Sequence, residues 1–254
     1  MPATAERQSP STIVLKSRSM VAEGTLEVRF AKPPGLTFKA GQFVDLTLID
    51  PVETDAEGNV RGFSINSAPD DEDLVFATRL RNTAFKRVLA KMPLGSAVAF
   101  EGPFGNFTLH NDASRPAVLL AGGIGITPFR SIVRRAAHEK LPHRILLFYA
   151  NRRPEDAPFL DELRQLSAVN PNFTFVPTMT GMERSDVPWI GATGPIDREL
   201  IAKNLASKDA PAETLAGPIY YAAGPPGMVT ALRKMLNEAG VDDDDIRTEE
   251  FTGY

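Results

Sequence analysis

The 254-residue sequence contains no cysteine. Disulfides, thiolate-bound iron–sulfur clusters, cysteine zinc sites and a cysteine nucleophile are therefore excluded within it. Histidine is nearly as scarce, because His110, His138 and His143 are the only three. Their spacing fits no metal site, so we expect no bound metal.

A strong charge of one sign and long apolar runs are also lacking. The 28 basic and 32 acidic residues give a net charge of −4, which argues against nucleic-acid binding. No apolar run approaches the roughly 20 residues that a membrane helix needs. Residues 1–11 are polar and carry no secretion signal. We therefore expect a cytoplasmic protein without membrane insertion, while its oligomeric state stays open.

The first half of the chain has the pattern of an antiparallel β-barrel or sandwich. Short alternating segments predict strands at 21–31, 43–49, 74–80 and 97–101, separated by turns rich in proline and glycine. One helix interrupts them, since apolar residues recur at helical spacing from Phe85 to Met92. Asn82 or Thr83 can cap its start.

From residue 116 onward, strands alternate with helices. Apolar segments predict strands at 117–121, 144–150, 172–177, 219–223 and 245–251. Helical stripes lie between them, at 159–166, 196–205, 228–236 and after Thr127, which we expect to cap its helix. This alternation predicts a parallel sheet covered on both faces. We therefore predict two domains, 1–112 and 113–254, joined by a polar link at 110–115.

Two glycine-rich turns follow strands of the second domain and open helices. The segment 122–128 reads GGIGITP, and 224–228 reads GPPGM. Glycine lets the backbone approach a pyrophosphate, and a helix N-terminus offers free N–H groups to it. Pro128 stands where the usual dinucleotide fingerprint has its third glycine, so a tight turn without a ligand is the alternative. Together the two turns favour a nucleotide crevice.

Basic residues follow the second strand of this domain. The residues there are Asn151, Arg152 and Arg153, where an NAD site often has a carboxylate for the ribose hydroxyls. Two guanidinium groups suit the 2′-phosphate of NADP. A solvated surface pair is the alternative interpretation.

In the first half, the segment RGFS at 61–64 begins a predicted strand. Arg61 can neutralise a phosphate, and Phe63, two residues on, lies on the same side of the strand and can cover a planar ring. The hydroxyl of Ser64 can hydrogen-bond a ring nitrogen. A surface arginine next to a core phenylalanine is the alternative.

The order of four motifs, RGFS (61–64), GPFGNF (102–107), GGIGITP (122–128) and GPPGM (224–228), resembles the ferredoxin–NADP reductase family. The likeness spans about residues 10–254 and is greatest to short bacterial FAD/NAD(P)H oxidoreductases, whose tail is similar to EFTGY at 250–254. It implies an FAD-binding barrel followed by an NAD(P)-binding α/β domain. It also implies hydride transfer from NAD(P)H to bound FAD, with electrons passed to an external ferredoxin, flavodoxin or oxygenase component.

The resemblance assigns a role to individual positions. Arg61 would contact the FAD pyrophosphate, Phe63 would stack on the isoalloxazine, and Ser64 would approach flavin N5. The other binding residues implied are Arg79, Thr83, Phe85 and Lys86 for the FAD phosphates; Gly123, Gly125 and Thr127 for the dinucleotide; Gly224, Pro225, Pro226 and Met228 for the nicotinamide pocket; and Glu250, Phe251 and Tyr254 for the flavin face. To these the residue chemistry described above adds Asn151, Arg152 and Arg153 for the dinucleotide.

One position departs from the family pattern. Relatives usually have a cysteine just before the Gly-Pro-Pro run, on the hydride-transfer path, and here that residue is Ala223. Two further readings therefore stay open. The chain could be an NAD(P)H:flavin reductase that uses free flavin, or an electron-relay or regulatory subunit without its own turnover. The sequence leaves the acceptor and the choice between NADP and NAD undecided.

Overall fold

The computed structural model describes residues 11–206 and 214–252, and two six-stranded sheets organise them. The strands are β1 (Ser11–Ala22), β2 (Thr25–Ala31), β3 (Phe43–Leu48), β4 (Val60–Ser64), β5 (Asp73–Arg79), β6 (Ala97–Phe104), β7 (Ala117–Gly122), β8 (Ile145–Asn151), β9 (Phe173–Met179), β10 (Ala192–Thr193), β11 (Ile219–Gly224) and β12 (Ile246–Glu250). The helices are α1 (Ala84–Lys91), α2 (Ile126–His138), α3 (Leu160–Val169), α4 (Arg198–Leu205) and α5 (Pro226–Glu238).

The first sheet is antiparallel, in the order β4-β3-β6-β1-β2-β5. Its two end strands contact each other, so the sheet curls around an apolar core that includes Val28, Phe30 and Phe76. This confirms the predicted antiparallel domain. The single strand expected at 21–31 is wrong, because Gly24 has a φ of 61° and turns the chain between β1 and β2.

The second sheet is parallel, in the order β10-β9-β8-β7-β11-β12. Its central strand β7 is buried on both faces, as its uninterrupted apolar sequence predicts. The predicted strand–helix alternation is confirmed, although the two-residue β10 was not expected. Thr127 was predicted to cap α2, but it lies inside the first turn, and its hydroxyl donates to the carbonyl of Ile124 at 3.0 Å.

The two sheets are held together through α2. Phe107, which follows the first sheet, packs against Phe129 of α2 with ring centroids 5.6 Å apart. Arg130 and Ser131 of the same helix donate hydrogen bonds to backbone carbonyls of residues 66 and 67, at 3.0 and 2.6 Å. These contacts fix a cleft between the sheets. The domain boundary at 112/113 remains a prediction.

Within residues 11–206 and 214–252, no helix is long and apolar enough to cross a membrane. The same residues contain no cluster of three or more acidic or histidine side chains arranged to hold a metal ion.

Candidate functional site

Two cavities adjoin each other in the cleft between the sheets. The barrel cavity, about 360 Å³, lies against β4, the end of β5 and the start of α1. The sheet cavity, about 1240 Å³, opens at the carboxyl ends of β7, β8 and β11. Arg79 and Arg81 line both cavities. Gly123 of the sheet cavity is next in the chain to Ile124 of the barrel cavity, so ligands bound in the two would meet at this turn.

Strand β4 places three predicted residues at the barrel cavity. Arg61, Phe63 and Ser64 all line it, and Ser64 is only 6% exposed. Phe63 also belongs to the barrel core, where its ring lies 6.0 Å from Phe76 and 5.8 Å from Phe85. The part of Phe63 that faces the cavity is therefore small.

Phe85 was expected at the FAD phosphates, and the structure places it elsewhere. It is 1% exposed and packs with Leu89 on the apolar face of α1, inside the barrel core. The helical spacing that predicted α1 also explains this position, since one face of the helix must cover the barrel. We assign Phe85 to packing.

The start of α1 is already occupied by protein groups. Thr83 caps the helix, as predicted, and its hydroxyl accepts from the backbone N–H of Lys86 at 3.5 Å. The carboxylate of Asp55, from the loop between β3 and β4, accepts from the N–H of Ala84 at 2.6 Å. A helix N-terminus attracts anions, and here the anion is a side chain of the same chain.

Arg61 is paired with the same loop. We call residues 53–57, with Glu53, Asp55 and Glu57, the acidic loop. Its Glu57 lies 2.6 Å from the Arg61 guanidinium and its Asp55 lies 3.8 Å away. These side chains are exposed or half-buried, so each pair contributes little to stability. The carboxylates thus take the positions that a phosphate on Arg61 would take.

Lys86 is a further cation at the barrel cavity. Like Arg81, it lines the cavity and has no ion pair with a carboxylate in the described part of the chain. Burial, reinforced by the nearby charges of Arg81 and Arg61, lowers its pKa. Arg61, Lys86 and the start of α1 form a donor set that fits a diphosphate. The residues present therefore fit FAD, provided that the acidic loop releases Arg61.

The glycine turns of the sheet cavity are shaped first by packing. A Cβ on Gly125 would lie 2.2 Å from the carbonyl oxygen of Ala223, and one on Gly122 would lie 2.4 Å from the sulfur of Met228. Gly122, Gly123, Pro225 and Met228 line the cavity. Both glycine turns therefore lie back to back at one edge of the sheet, as predicted, whereas Gly125 is buried behind that edge.

Two other residues of this region lie away from the sheet cavity. Thr127 lines the barrel cavity instead. Ala223 is fully buried, and its register partner on β12 is Glu249. The residue that stands in place of the usual cysteine is thus a core residue.

Asn151 supports a ligand in the sheet cavity. It ends β8, lines the cavity and is only 7% exposed, yet its side-chain nitrogen is buried with no hydrogen-bond partner. Such a group costs free energy unless something satisfies it. The ribose and phosphate oxygens of a dinucleotide are suitable acceptors, so the residues present fit this group.

The two arginines after β8 differ in their surroundings. Arg152 is exposed and lines the sheet cavity. Arg153 instead pairs with Asp156, with Nε–Oδ2 and Nη2–Oδ1 distances of 3.0 Å, and with Glu23 of the β1–β2 turn. Arg79, expected at the FAD phosphates, lies 3.6 Å from the same Asp156. The structure thus separates a pair that the sequence treats as one feature.

The C-terminal tail reaches the barrel cavity. The backbone N–H of Phe251 donates to the carbonyl of Gly224 at 2.9 Å, and Phe251 and Thr252 line the cavity. Glu250 is exposed, whereas Glu249 is largely buried, and burial raises the pKa of Glu249 to about 7. Tyr254, also expected at the flavin face, lies outside the described residues.

Comparison with known proteins agrees with this geometry. The profile of the oxidoreductase NAD-binding domain family matches residues 119–234. A ferredoxin NADP+ reductase from Neisseria gonorrhoeae, solved with bound FAD and NADP, superimposes with a TM-score of 0.76 at 22% identity, covering 94% of this chain and 98% of that one. Residues 119–234 therefore match an oxidoreductase NAD-binding domain. The chain shares the two-domain fold of that ferredoxin NADP+ reductase.

Two curated relatives are longer than this chain. A component of the Na(+)-translocating NADH-quinone reductase of Serratia proteamaculans is 28% identical over 209 residues, which cover 78% of this chain and 50% of the relative. The reductase component of propane 2-monooxygenase from Rhodococcus jostii is 27% identical over 232 residues, covering 90% and 59%. The chain thus spans between half and three fifths of their length.

Sequence reasoning missed the acidic partners of the predicted cations. Asp55 and Glu57 lie in an ordinary polar turn, and Glu23 lies in a hairpin turn far from its partner in sequence. The local signals were Asp156, three residues after Arg153, and Glu57, four residues before Arg61. The sequence analysis chose Glu250 and not Glu249 as a site residue. The two side chains are chemically identical, and only the strand register shows which of them is buried.

Proposed function

We propose that this chain is the reductase of an electron-transfer system. It takes hydride from NAD(P)H onto FAD held in the barrel cavity and passes electrons to a separate protein, such as an oxygenase component, a ferredoxin or a flavodoxin. The observation that carries the proposal is the meeting of the two cavities at Gly123 and Ile124. The name of the propane 2-monooxygenase reductase component supports an oxygenase as the acceptor.

In this proposal the chain's own groups bind and orient. Arg61, Lys86 and the N–H groups at the start of α1 hold the flavin diphosphate. The hydroxyl of the buried Ser64 hydrogen-bonds the flavin ring, and Phe251 covers the cavity against water. Bound FAD supplies the hydride acceptor and the onward release of electrons. No strong acid or base is needed, so placing two rings in contact is the main task of the protein.

The sheet cavity presents the second substrate. Asn151 offers its unpartnered nitrogen, and the Gly122 and Pro225 turns form the wall next to the barrel cavity. Gly125, buried against Ala223, keeps these turns at a fixed separation. The nicotinamide end is thereby directed towards Ile124 and Thr127.

The test is reduction of bound flavin by a nicotinamide donor. Purified protein reconstituted with FAD is mixed anaerobically with NADH or NADPH in a stopped-flow instrument. We expect the flavin absorbance near 450 nm to bleach, and persistence of that band with both donors would refute the proposal.

A second candidate is an NAD(P)H:flavin reductase with exchangeable flavin. The acidic loop favours it, because Asp55 and Glu57 compete with a flavin diphosphate for Arg61 and the start of α1. Loss of flavin on a desalting column, with turnover of added FMN, would establish this reading in place of the first.

A further inference from the structure

The ends of β8 and β9 form a third, smaller cavity of about 380 Å³ next to the sheet cavity. Four arginines line it: Arg79, Arg152, Arg153 and Arg184. Arg152, Thr180 and Asp156 also line the sheet cavity. A group attached to a dinucleotide in the sheet cavity could therefore extend into this one. Four guanidinium groups would strongly favour a phosphate there if all of them were free.

Asp156 prevents the four arginines from all being free to bind a phosphate. It is 8% exposed and lies between two of the four arginines, bidentate on Arg153 and 3.6 Å from Arg79. A buried carboxylate and an arginine in this fork geometry form a strong pair. Arg153 holds the pKa of Asp156 below its ordinary value, so the carboxylate stays charged at neutral pH.

Two further carboxylates pair with arginines of this cavity. Glu23 pairs with Arg153 from the other side, and Glu183 lies 3.5 Å from Arg184 at an exposed position. In the described part of the chain, Arg152 alone of the four has no ion pair with a carboxylate. The site thus offers one free cation on a long, exposed side chain.

We infer that Asp156 is a specificity-determining residue, which keeps Arg153 away from the 2′ position of the bound nucleotide and so favours NADH over NADPH. The inference rests on the proposed use of a nicotinamide dinucleotide. It assigns different tasks to the two neighbouring arginines. Arg152 is available to the nucleotide, whereas Arg153 ties the second domain to the β1–β2 turn through Asp156 and Glu23.

The test measures binding of two nucleotide fragments, independently of flavin and of turnover. Adenosine 2′,5′-bisphosphate and AMP are titrated into the wild-type protein, Asp156→Asn, Arg153→Ala and the double variant by calorimetry. Asp156→Asn should raise the affinity for the bisphosphate relative to AMP by about tenfold, since it frees one charged hydrogen-bonding group. The double variant should return this ratio to the wild-type value, and Arg153→Ala alone should leave it unchanged.

The design separates a specificity role from a structural one. If Asp156→Asn keeps its AMP affinity but the ratio does not move, the inference is wrong. A tenfold fall in the ratio for Arg153→Ala alone also overturns it, because Arg153 would then already contact the phosphate. Asp161→Asn, an exposed carboxylate paired with Arg164, is the matched control.

If Asp156→Asn fails to fold, the inference is tested with Glu23→Gln, a substitution at an exposed position. It removes the other partner of Arg153 and should raise the ratio in the same direction by a few-fold; an unchanged ratio overturns the inference. The proposed function is tested separately, by anaerobic reduction of bound flavin with NADH and with NADPH. A protein that oxidises neither donor refutes the function, while the fragment titrations still report on Asp156.

Discussion

The barrel cavity and the sheet cavity differ in what already occupies their polar groups. At the barrel cavity, the predicted phosphate-binding cation Arg61 and the start of α1 are satisfied by carboxylates of the acidic loop. At the sheet cavity, the side-chain nitrogen of Asn151 is buried and unsatisfied. One cavity must exchange internal partners for its ligand, and the other gains a hydrogen bond when its ligand binds.

The shape of the two sites has different origins as well. Backbone-to-backbone contact fixes the glycine turns of the sheet cavity, because no Cβ fits at Gly125. The barrel cavity is bounded by long side chains and by a loop, which can rearrange. We conclude that the sheet cavity is built in advance and the barrel cavity is adjustable.

The largest expected effect comes from a substitution at the sheet cavity, where backbone contacts fix the glycine turns. Gly125→Ala places a Cβ 2.2 Å from the carbonyl oxygen of Ala223 and 2.7 Å from the backbone nitrogen of Gly224, where only main-chain movement can relieve the clash. We expect a loss of about 3 kcal/mol in the free energy of unfolding. Chemical denaturation measures it.

Gly227→Ala is the matched control for this prediction. Gly227 lies in the other glycine turn, at the start of α5, and a Cβ there meets nothing within 4 Å. Alanine is the better helix former, so stability should stay the same or rise slightly. Equal losses in the two variants would mean that backbone packing does not distinguish Gly125.

The next largest effect is expected at the barrel cavity. Arg61→Ala removes one of the barrel-cavity cations expected to hold the flavin diphosphate and should weaken FAD binding by roughly tenfold to a hundredfold. Flavin fluorescence titration measures the Kd. Arg135→Ala, which breaks the exposed i,i+4 pair with Glu139 on α2, is the control and should leave the Kd unchanged. Unchanged FAD affinity in Arg61→Ala would remove the assignment of this cavity to the diphosphate.

The features fixed by the backbone could be predicted from the sequence, whereas the pairing of side chains could not. Strand–helix alternation and the two glycine turns determine the parallel sheet and its edge, because buried parallel strands have uninterrupted apolar sequences such as β7. The β1–β2 hairpin was missed, since Gly24 is a single turn residue inside one apolar–polar pattern.

The partners of the predicted cations could not be found in this way. Arg61 and Arg153 were both chosen as phosphate ligands from their residue type. Which of them is free depends on Glu23, Asp55 and Asp156. Asp156 is a near neighbour of Arg153 in sequence, but Asp55 approaches Arg61 only when the β3–β4 loop folds back, and Glu23 approaches Arg153 only when the β1–β2 turn folds against the second sheet. Residue type predicts the chemistry of a side chain, and tertiary structure decides whether that chemistry is available.

A smaller effect lies where the second sheet meets the first. Glu249 of β12 borders Phe43 and Phe107, and burial raises its pKa from 4.5 to about 7. The folded protein therefore holds this proton more tightly than the unfolded chain does. The stabilisation is complete below about pH 4.5 and is lost as the pH rises through 7.

Replacing the carboxyl by an amide removes this titration. Glu249→Gln should match the wild-type protein at pH 4.5 and be more stable at pH 8, by on the order of 1–2 kcal/mol because the carboxyl is partly exposed. Denaturation at several pH values measures the difference, with the exposed neighbour Glu250→Gln as the control. A constant difference at all pH values would show that Glu249 does not titrate in this range.

The smallest expected effect tests most directly whether carboxylates of the acidic loop compete with a ligand at the barrel cavity. Glu57→Gln removes the carboxylate that lies 2.6 Å from Arg61 while keeping the side-chain shape. Exposed ion pairs are worth about 0.2–1 kcal/mol, so releasing this one should tighten FAD binding by up to about fivefold. The gain should shrink at high salt, because the pair that it removes is already screened there. FAD titrations at two salt concentrations measure both quantities, with Glu139→Gln, just after α2, as the control. Weaker FAD binding in Glu57→Gln would mean that the acidic loop helps to position Arg61 for the flavin, and the competition between carboxylate and diphosphate would have to be abandoned.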